Sequence, residues 1–444
     1  MGTIWVGIDD TDSPRGGCTT WVLTELLRVA RDRGVDLLGE PRLVRLNPNI
    51  PWKTRGNAAL AARFGRGRGP RRTVGSIGGR PVRSFVRGTD LPEAESLAFV
   101  DAAWERVRSL ADRAPGTDPA LVASPRRLPA DLYWTAVREV ASVASVERRL
   151  RALGATAHHR GSRRGLVGAS AAIAWPGQRV TWELIAYRPS VRWGTPRTVD
   201  AGTVREAQRA FPDLFLCYDE RTRRLLVAPH TPCPILFGLR STRRETPARA
   251  LRRIASEAVD RWVVFRTNQG TGDHLVPRTA DGIAPYRSAI VDGSVASPPR
   301  AAVGGHVAFD LASAEGAAVV CLAFEPTKTL PLVARSLRVG DRVRVWGSRG
   351  REPALRLEGL ELLRLVPRRG RTNPVCPSCR RPAGSLGRQR GYRCPTCRRR
   401  WPPEAGVGPV VAPRYPPGRY HPTPSARRHL AVLGPPAVAA RESF

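Results

Sequence analysis

The chain opens with Ile4-Trp5-Val6-Gly7-Ile8, a short apolar run, and continues at once with Asp9-Asp10-Thr11-Asp12. An apolar run of this length that stops at polar residues is typical of a buried β-strand. In α/β proteins the carboxyl ends of such strands carry ligand sites. Three carboxylates crowded at one strand end repel one another unless a cation or a proton neutralises them. The segment therefore predicts an α/β domain with a Mg²⁺ site at this loop, because Mg²⁺ takes carboxylate and phosphate oxygens.

The residues that follow predict a helix that begins beside the acidic loop. Gly16-Gly17-Cys18-Thr19-Thr20 leads into apolar residues at helical spacing that continue to Arg33. Free backbone N–H groups at a helix start favour a phosphate, and a hydroxyl there can accept a phosphoryl group. The acidic loop alone is equally consistent with an Asx-turn that caps the helix. The Gly-rich helix start beside it favours the phosphate site.

Two segments further along add candidates for phosphate binding. Lys53 is one of two lysines in a chain that otherwise uses arginine, which marks a place where a compact ammonium is needed. The turn Gly161 to Gly168 is rich in glycine and enters an apolar helix, with Arg163 and Arg164 as clamps. It is not a Walker A sequence, and a plain strand-to-helix turn explains it equally well.

Hydrophobic periodicity predicts further elements of the first part of the chain. Strands are predicted over 41–46, 225–227 and 262–266, and helices over 93–113 and 129–153. The Arg/Gly-rich segment 63–83 predicts an elaborated loop.

The second part of the chain has a different texture. From about residue 285 to 366, short strands are broken by glycine and proline, and basic residues alternate with apolar ones. This pattern favours an OB-fold barrel that binds single-stranded nucleic acid, with the surface of an ordinary β-sandwich as the alternative. The Pro-rich residues after 404 predict an extended or disordered tail.

The most specific single motif is a pair of cysteine turns. Cys376-Pro-Ser-Cys379 is followed, after fourteen residues, by Cys394-Pro-Thr-Cys397. Two such pairs supply four thiolates to a tetrahedral Zn²⁺, and a site filled by protein ligands is structural. Arginines around the cluster predict contacts with phosphates. A redox role for the pairs is the weaker alternative.

The charge of the chain indicates the class of its partner. It has 73 Lys and Arg against 38 Asp and Glu, a formal net charge of +35. The arginine bias partly reflects base composition, but so large an excess favours nucleic acid over a merely solvated surface. No apolar run reaches the roughly 18 residues of a membrane span, the early carboxylates argue against a signal peptide, and the remaining cysteines lack disulfide spacing. We expect a cytoplasmic protein of three or four domains.

A series of motifs, read in order, resembles one family. The motifs are Gly7-Ile8-Asp9-Asp10-Thr11-Asp12-Ser13, Cys18-Thr19-Thr20, Leu46-Asn47-Pro48 with Lys53-Thr54-Arg55-Gly56-Asn57, Gly165-Leu166-Val167-Gly168-Ala169, His230-Thr231-Pro232-Cys233-Pro234 and Asn268-Gln269-Gly270-Thr271. Together with the cysteine pairs they resemble the archaeal isoleucine-tRNA 2-agmatinylcytidine synthetase family over about nine tenths of the chain.

The resemblance implies a multidomain α/β (α+β) fold. It implies a kinase-like domain over 1–160, a ferredoxin-like domain over 161–280, an OB-fold over 281–368, a zinc ribbon over 370–404 and a tail over 405–444. The implied activity is that of a ligase that forms a carbon–nitrogen bond. Such enzymes use ATP to attach agmatine to C2 of cytidine 34 in a CAU-anticodon isoleucine tRNA. The reaction passes through a phosphorylated cytidine and releases AMP and two phosphates.

The resemblance also implies roles for individual residues. Thr19 matches the autophosphorylated threonine. Asp9, Asp10 and Asp12 match catalytic carboxylates, with Asp9 and Asp10 as Mg²⁺ ligands. The positions that match ATP or phosphate binding are Lys53, Arg55, Gly165 and Gly168. Gly17 and Trp21 depart from the Met and Tyr expected there, which leaves the hydroxyl of Thr19 in place. A carboxylate should meet the guanidinium of agmatine, and Asp273 is the candidate.

Two other functions remain open from the sequence. A non-catalytic OB-fold and zinc-ribbon protein that binds RNA or single-stranded DNA explains the charge and the C-terminal half. It leaves the acidic loop unexplained, because clustered carboxylates repel a polyanion unless metal and nucleotide are present. An RNA kinase or nucleotidyl-transferring enzyme would share the site and differ in its product.

Overall fold

The first part of the chain alternates strands with helices. The computed structural model describes residues 3–13, 16–54, 56–111, 116–314, 316–387 and 389–433. In chain order the elements are β1 (Ile4–Asp9), β2 (Asp12–Ser13), β3 (Gly16–Gly17), α1 (Thr19–Asp32), β4 (Asp36–Arg45), β5 (Ala58–Ile77), β6 (Arg80–Thr89), α2 (Glu93–Ala111), β7 (Ala120–Ser124), α3 (Ala130–Arg138), α4 (Val143–Ala152), β8 (Thr156–His159), α5 (Gly165–Ala174), β9 (Thr181–Tyr187), α6 (Ala201–Ala210), β10 (Leu214–Phe215), β11 (Tyr218–Asp219), β12 (Arg224–Leu225), β13 (Ile235–Ser241), α7 (Thr246–Leu251) and β14 (Arg261–Thr267).

The second part is built mainly from strands. Its elements are β15 (Ser288–Val295), β16 (Arg300–Ala301), β17 (Val307–Ala312), β18 (Ala318–Ala323), α8 (Thr329–Arg335), β19 (Arg342–Arg349), β20 (Leu355–Arg364), β21 (Arg368–Arg371), β22 (Gly384–Ser385), β23 (Tyr392–Arg393), β24 (Arg400–Trp401), β25 (Val407–Val411) and β26 (Gly418–Tyr420). Within the described ranges, no helix is long and apolar enough to cross a membrane.

Ten strands of the first part form one continuous sheet, in the order β10-β13-β9-β14-β4-β6-β5-β1-β7-β8. Strand β14 runs parallel to β4 on one side and antiparallel to β9 on the other. Strands from both sides of residue 160 therefore share this sheet, which continues without a break across the expected domain boundary.

Strand β1 lies between β5 and β7 and carries the acidic loop at its carboxyl end. Successive side chains of a strand point to opposite faces. Accordingly, Val6 and Ile8 pack in one cluster with the apolar stripe of α1 and with α2, whereas Trp5 packs with α5 on the other face. The predicted strand over 4–8 and the predicted helix from Thr19 are both confirmed.

Gly7 lets helix α5 approach the sheet closely. A Cβ atom at Gly7 would lie 2.2 Å from the backbone oxygen of Ala169. Because backbone cannot move aside as a flexible side chain does, we expect Gly7→Ala to lower the free energy of unfolding by about 3 kcal/mol. Urea denaturation measures this. Gly384→Ala is the control, because its Cβ would lie 3.7 Å from the nearest atom; an equal loss in both variants would contradict the close-approach argument.

The interpretation of residues 63–83 as a loop is wrong. These residues belong to strands β5 and β6, which pair with each other through two bulges, between Arg68 and Arg71 and between Thr73 and Gly75. The far end of β5 pairs with β14. The composition suggested a loop, because strand propensity here is low. Hydrogen-bonded pairing with β1, β4 and β14 nevertheless holds these residues as strands.

The other predicted elements are largely confirmed. The strand expected over 41–46 is the end of β4, the one expected over 262–266 is β14, and the one expected over 225–227 shrinks to the short β12. The helix expected over 93–113 is α2, and the one expected over 129–153 is divided into α3 and α4.

Residues 288–364 contain a closed five-stranded barrel. Its order is β15-β19-β20-β18-β17, and β17 pairs back with β15 to close it. Helix α8 lies between β18 and β19 in the chain and packs Leu330, Val333 and Ala334 into the barrel core.

The prediction of a disordered tail over 405–444 is wrong for residues 405–433; residues 434–444 lie outside the described ranges. Strand β25 pairs with β21, and β26 adds to β20 of the barrel. Leu430 is buried in the cluster around α3 and α5 of the first part. Proline content alone predicted disorder, but tyrosine and leucine side chains in this segment bury enough apolar surface to order it.

Candidate functional site

A cavity of about 500 Å³ lies where the carboxyl end of β1 meets the N-terminal ends of α1 and α5. Its volume is in the range of small-molecule sites. It brings together seven of the residues expected in the site from the sequence: Asp9, Asp10, Asp12, Thr19, Lys53, Gly165 and Gly168. Arg55 lies outside the described residues.

The acidic loop folds back on itself to present its carboxylates. Strand β1 ends at Asp9, and Asp10 adopts a left-handed conformation with φ of 59°. The backbone N–H of Asp10 donates to Oδ1 of Asp9 at 2.8 Å. The short pair β2–β3 then returns the chain to the start of α1. As a result, the hydroxyl of Thr19 donates to Oδ1 of Asp12 at 3.3 Å.

The electrostatics of the loop favour protons or a cation. Burial, with Asp10 next to it, raises the pKa of Asp9 well above its usual range. Burial, followed by the charges of Asp118 and Asp12, raises the pKa of Asp10 to about 7, while Arg164 opposes this rise. A divalent cation would offset the free-energy cost of ionising these buried carboxylates, because it stabilises the ionised form of each one. The donor set is therefore one that fits Mg²⁺.

Asp118 was missed in the sequence. It stands just before β7, the neighbour of β1, and its carboxylate accepts from the backbone N–H of Ser162 at 3.3 Å. A Cβ atom at Gly161 would lie 2.1 Å from Oδ1 of Asp118. Asp118 thus holds the glycine-rich turn against the acidic loop, and a carboxylate directly before an apolar strand was the signal available for it.

The glycines of this turn allow α5 to touch the acidic loop. A Cβ atom at Gly168 would lie 1.8 Å from Oδ2 of Asp9, and one at Gly165 would lie 3.2 Å from Cβ of Asp10. Any larger residue at Gly168 would displace the Asp9 carboxylate. Glycine is therefore required at Gly168 so that α5 can contact the acidic loop. A plain strand-to-helix turn would not need this glycine.

Two cations lie beside the carboxylates. The ammonium of Lys53 donates to the backbone oxygen of Ile50 at 3.2 Å, and burial, with Arg428 nearby, lowers the pKa of Lys53. The guanidinium of Arg164 lies 4.2 Å from the ring centroid of Trp52. Both residues line the cavity. The cavity therefore has cationic side chains next to its carboxylates. A nucleoside triphosphate with a metal ion requires both, because cations contact the phosphates and carboxylates hold the metal.

The opposite wall of the cavity comes from residues that the sequence did not reveal. Glu183 on β9 accepts from Arg45 at 3.3 Å and from Arg240 at 3.1 Å. His429 of the C-terminal segment completes this wall, and the charge of Arg45, then burial, lowers its pKa well below the usual range. Both causes favour the neutral form of the imidazole. These residues are far apart in sequence and meet only through the tertiary fold.

The motif His230-Thr231-Pro232-Cys233-Pro234 is held in shape by one guanidinium. Arg197 donates to the backbone oxygens of Pro229, Thr231 and Cys233, and to that of Ile235 at 2.7 Å. A guanidinium carries five N–H donors in a fixed fork, so one side chain can bind several backbone carbonyls at once. The motif thereby presents His230, Thr231 and Cys233 to the cavity.

The residues of the Asn268 motif are buried behind the cavity. Asn268 accepts from the backbone N–H of Arg45 at 2.7 Å and donates to its carbonyl at 2.9 Å, so it fixes the end of β4. Asp273 accepts from the hydroxyl of Tyr133 at 2.6 Å. The structure places Asp273 outside the cavity lining, in the core beside Tyr133. An agmatine contact through Asp273 is therefore not supported.

The four cysteines of the C-terminal motif converge on one point. The sulfur atoms of Cys376, Cys379, Cys394 and Cys397 all lie within 4.8 Å of one another. Zinc–sulfur bonds of about 2.3 Å place tetrahedral ligands roughly 3.8 Å apart, which is inside this limit. The two turns repeat the same geometry. Arg380 and Arg398 both have positive φ, and the backbone N–H of each donates to the carbonyl of the first cysteine of its turn. Backbone N–H groups of Cys397 and Thr396 lower the pKa of the Cys394 thiol to about 6. The site fits a structural Zn²⁺.

We expect Cys379→Ser to abolish zinc binding and to unfold residues 373–404, because three ligands leave the metal weakly held and the small ribbon has little core of its own. Metal analysis and limited trypsin digestion measure both effects, with cleavage confined to the ribbon. Ser378→Ala is the matched control and keeps the metal. Retention of zinc and trypsin resistance in Cys379→Ser would contradict the four-ligand assignment.

Comparison with known proteins agrees with this geometry along the whole chain. Three family models match: the TiaS TCKD domain over residues 5–161, the TiaS FLD domain over 163–274 and the TiaS C-terminal zinc ribbon domain over 373–404. A relative from Archaeoglobus fulgidus, the isoleucine-tRNA 2-agmatinylcytidine synthetase TiaS, is 35% identical over 436 residues, which cover 96% of each chain. The chain belongs to the TiaS family.

Other members agree in length and fold. The TiaS of Methanopyrus kandleri is 36% identical and aligns over 96% of this chain and 95% of its own. A crystal structure of apo TiaS has a TM-score of 0.81 at 32% identity, and a complex of TiaS with an isoleucine tRNA and ATP has 0.81 at 31%; both cover 100% of the two chains compared. A complex of TiaS with the same tRNA, AMPCPP and agmatine has a TM-score of 0.77 at 29% identity. TiaS relatives are catalysts, so a non-catalytic role is not favoured for this chain.

Proposed function

We propose that this chain is an ATP-dependent ligase that attaches agmatine to C2 of cytidine 34 in a CAU-anticodon isoleucine tRNA. The observation that carries the proposal is the cavity at the end of β1, where three carboxylates, the Thr19 hydroxyl and two cations meet. The proposal is supported by membership of the TiaS family, whose relatives are named for this product. Solved relatives are complexes with an isoleucine tRNA, ATP, AMPCPP and agmatine.

The acidic loop is proposed to hold the phosphates of ATP through Mg²⁺, with Asp9 and Asp10 as its ligands. When bound, Mg²⁺ would neutralise the developing charge of phosphoryl transfer. The raised pKa of Asp10 supports this role, since a carboxylate that costs free energy to ionise alone gains most from a cation. Lys53 and Arg164, with Arg55 and the Gly165 to Gly168 turn, would contact the phosphate oxygens.

Thr19 is proposed as the phosphoacceptor of the protein. Its hydroxyl already donates to Asp12, which holds the oxygen lone pairs toward the cavity and offers a carboxylate that can take the proton. Thr20 is oriented differently, because its hydroxyl meets the sulfur of Cys18 at 3.0 Å. The contacts of the two neighbouring threonines therefore favour the first.

The chemistry at cytidine needs a better leaving group than its C2 oxygen. Phosphorylation of that oxygen by ATP turns it into a phosphate, which the primary amine of agmatine displaces at C2. The new bond is carbon–nitrogen, the oxygen leaves with phosphate, and the amine loses its proton to a base in the cavity. AMP and two phosphates are the by-products of the two phosphoryl transfers proposed for Thr19 and cytidine. One phosphate carries the C2 oxygen, and the other is released when water hydrolyses the phosphothreonine and restores the Thr19 hydroxyl.

The modular division expected from the sequence is proposed with the same bounds. The kinase-like domain covers 1–160, the ferredoxin-like domain 161–280, the OB-fold 281–368 and the zinc ribbon 370–404. The closed barrel with α8 between its third and fourth strands supports the OB-fold. A tRNA substrate also supports a cytoplasmic location.

Incubation with ATP, Mg²⁺, agmatine and a CAU-anticodon tRNA transcript tests the function. Nucleoside mass spectrometry should find cytidine 34 heavier by agmatine less water, with AMP released. The outcome with agmatine present separates the alternatives. An RNA kinase would leave a phosphorylated nucleotide that agmatine does not displace, and a simple RNA-binding protein would leave cytidine unchanged with ATP intact. Either result would contradict the proposal.

A further inference from the structure

The Arg-rich hairpin of β5 and β6 has no task in the site described above. Within the part of the chain that the structure describes, none of the arginines of β5 and β6 lines the cavity, although Ala58 at the start of β5 does.

The hairpin concentrates positive charge. Arg83, Phe85 and Arg87 on β6 pair with Thr73, Arg71 and Arg68 on β5. Phe85 packs over Gly67, where a Cβ atom would lie 2.2 Å from its ring. Four arginines on these neighbouring rungs are exposed, and we call Arg68, Arg71, Arg83 and Arg87 the basic ribbon.

The basic ribbon has no internal counter-charge. Within the described ranges, none of its four arginines forms an ion pair or a hydrogen bond with a carboxylate. The neighbouring acids are already engaged: Glu95 pairs with Arg66, and Asp36 accepts from the backbone N–H of Gly67. Arg68 and Arg87 face each other directly in the ladder. Like charges in that position destabilise a sheet, and an external polyanion would relieve the repulsion.

We propose that the basic ribbon binds the phosphate backbone of the tRNA outside the anticodon loop. This inference rests on the proposed function, which brings tRNA to the cavity at the end of β1. Guanidinium groups match phosphates in a bidentate geometry, and phosphate contacts fix the register of an RNA without reading its sequence. A phosphate contact outside the anticodon loop would orient the tRNA body while cytidine 34 enters the cavity.

The test compares two quadruple variants. In the ribbon variant, Arg68→Gln, Arg71→Gln, Arg83→Gln and Arg87→Gln are combined. In the control, Arg31→Gln, Arg108→Gln, Arg149→Gln and Arg205→Gln remove the same charge from exposed residues that pair with carboxylates. The Kd for full-length CAU-anticodon tRNA is measured over a series of salt concentrations. Melting temperatures check folding, and the ribbon variant should melt no lower than the wild type, because it loses the repulsion between Arg68 and Arg87.

We expect the ribbon variant to bind tRNA about 10- to 100-fold more weakly near 0.1 M salt and to lower the slope of log K against log salt by about 3 to 4. The rate of agmatine attachment at saturating tRNA should stay at the wild-type level. An unchanged Kd and slope, or an equal loss in the control, would overturn the inference. So would loss of binding to phosphatidylserine vesicles with tRNA affinity intact, which would assign the ribbon to a membrane surface. If the wild type binds tRNA but attaches no agmatine, the proposed function fails, and the affinity comparison still decides the ribbon.

Discussion

Asp10→Asn is expected to reduce agmatine attachment at least about 1,000-fold while making the Mg²⁺-free protein more stable. The activity falls because an amide cannot supply the charge that holds the metal and its nucleotide, and electrostatic stabilisation is usually the largest part of such catalysis. The stability rises because burial, followed by the charges of Asp118 and Asp12, raises the pKa of the wild-type carboxylate to about 7. Kinetic assays with tRNA and thermal melting without Mg²⁺ measure the two effects.

The stabilisation has a defined dependence on pH. The pKa of Asp10 in the fold lies above its ordinary value of 3.8, so the folded state binds the proton more tightly than the unfolded chain does. The loss of stability that ionised Asp10 causes in the wild type is therefore absent below about pH 4 and grows between pH 4 and 7. Above pH 7 it is complete, at a few kcal/mol. Asp10→Asn should gain most over the wild type at pH 8 and little at pH 4, and added Mg²⁺ should narrow the gap.

Asp118→Asn is the matched control. Asp118 also raises the pKa of Asp10, but its carboxylate holds the turn at Ser162 and does not line the cavity. This variant should keep agmatine attachment within about tenfold of the wild type while it lowers the pKa of Asp10. Equal loss of activity in both variants would contradict a specific role for Asp10. So would an Asp10→Asn variant that is active, or one that is less stable without Mg²⁺ at pH 8.

Thr19→Val is expected to abolish both phosphorylation of the protein and agmatine attachment. Valine keeps the branched shape at the start of α1 but removes the hydroxyl that donates to Asp12. Radiolabelled γ-phosphate from ATP, followed by peptide mapping, measures the first effect, and analysis of cytidine 34 measures the second. Thr19→Ser should retain both, because it keeps the oxygen.

Thr20→Val provides the comparison within the same turn of helix. Thr20 also lines the cavity, but its hydroxyl contacts the sulfur of Cys18. We expect this variant to remain phosphorylated and to attach agmatine within about tenfold of the wild-type rate. Label on Thr20, or full activity of Thr19→Val, would contradict the assignment of the phosphoacceptor.

Local patterns predicted one side of the site well. The apolar run that ends at Asp9 and the helical spacing after Thr19 define β1 and α1, and each follows from periodicity within a few residues. The cysteine spacing likewise identified the zinc ligands, which the fold brings within bonding range of one ion. In these cases the chemistry and the fold are encoded in contiguous residues.

Local sequence patterns did not reveal the residues of the opposite wall of the site. Arg45, Glu183 and Arg240 come from β4, β9 and β13, which the sheet brings together. His429 joins them because the C-terminal segment packs on the loop after β14, where the backbone N–H of Gly270 donates to the His429 carbonyl. Asp273 shows the same limit of local patterns: an aspartate beside a glycine-rich motif looks alike in sequence whether it faces a cavity or, as here, accepts a hydrogen bond from a buried tyrosine.

Composition misled the prediction in two segments. The hairpin of β5 and β6 is rich in arginine and glycine, and the segment after residue 404 is rich in proline, so both suggested irregular structure. Pairing with neighbouring strands orders the hairpin, and burial of Tyr420 and Leu430 orders the C-terminal segment. Long-range contacts override local propensity in both places.

The most direct test of the central claim follows the C2 oxygen of cytidine 34. A CAU-anticodon tRNA carrying ¹⁸O at that position is incubated with the enzyme, ATP, Mg²⁺ and agmatine, and the inorganic phosphate is analysed by mass spectrometry. If the cavity at Asp9 and Thr19 activates cytidine by phosphorylation, the labelled oxygen must leave as part of phosphate. Agmatine attachment with the label in water, or in AMP, would contradict the account.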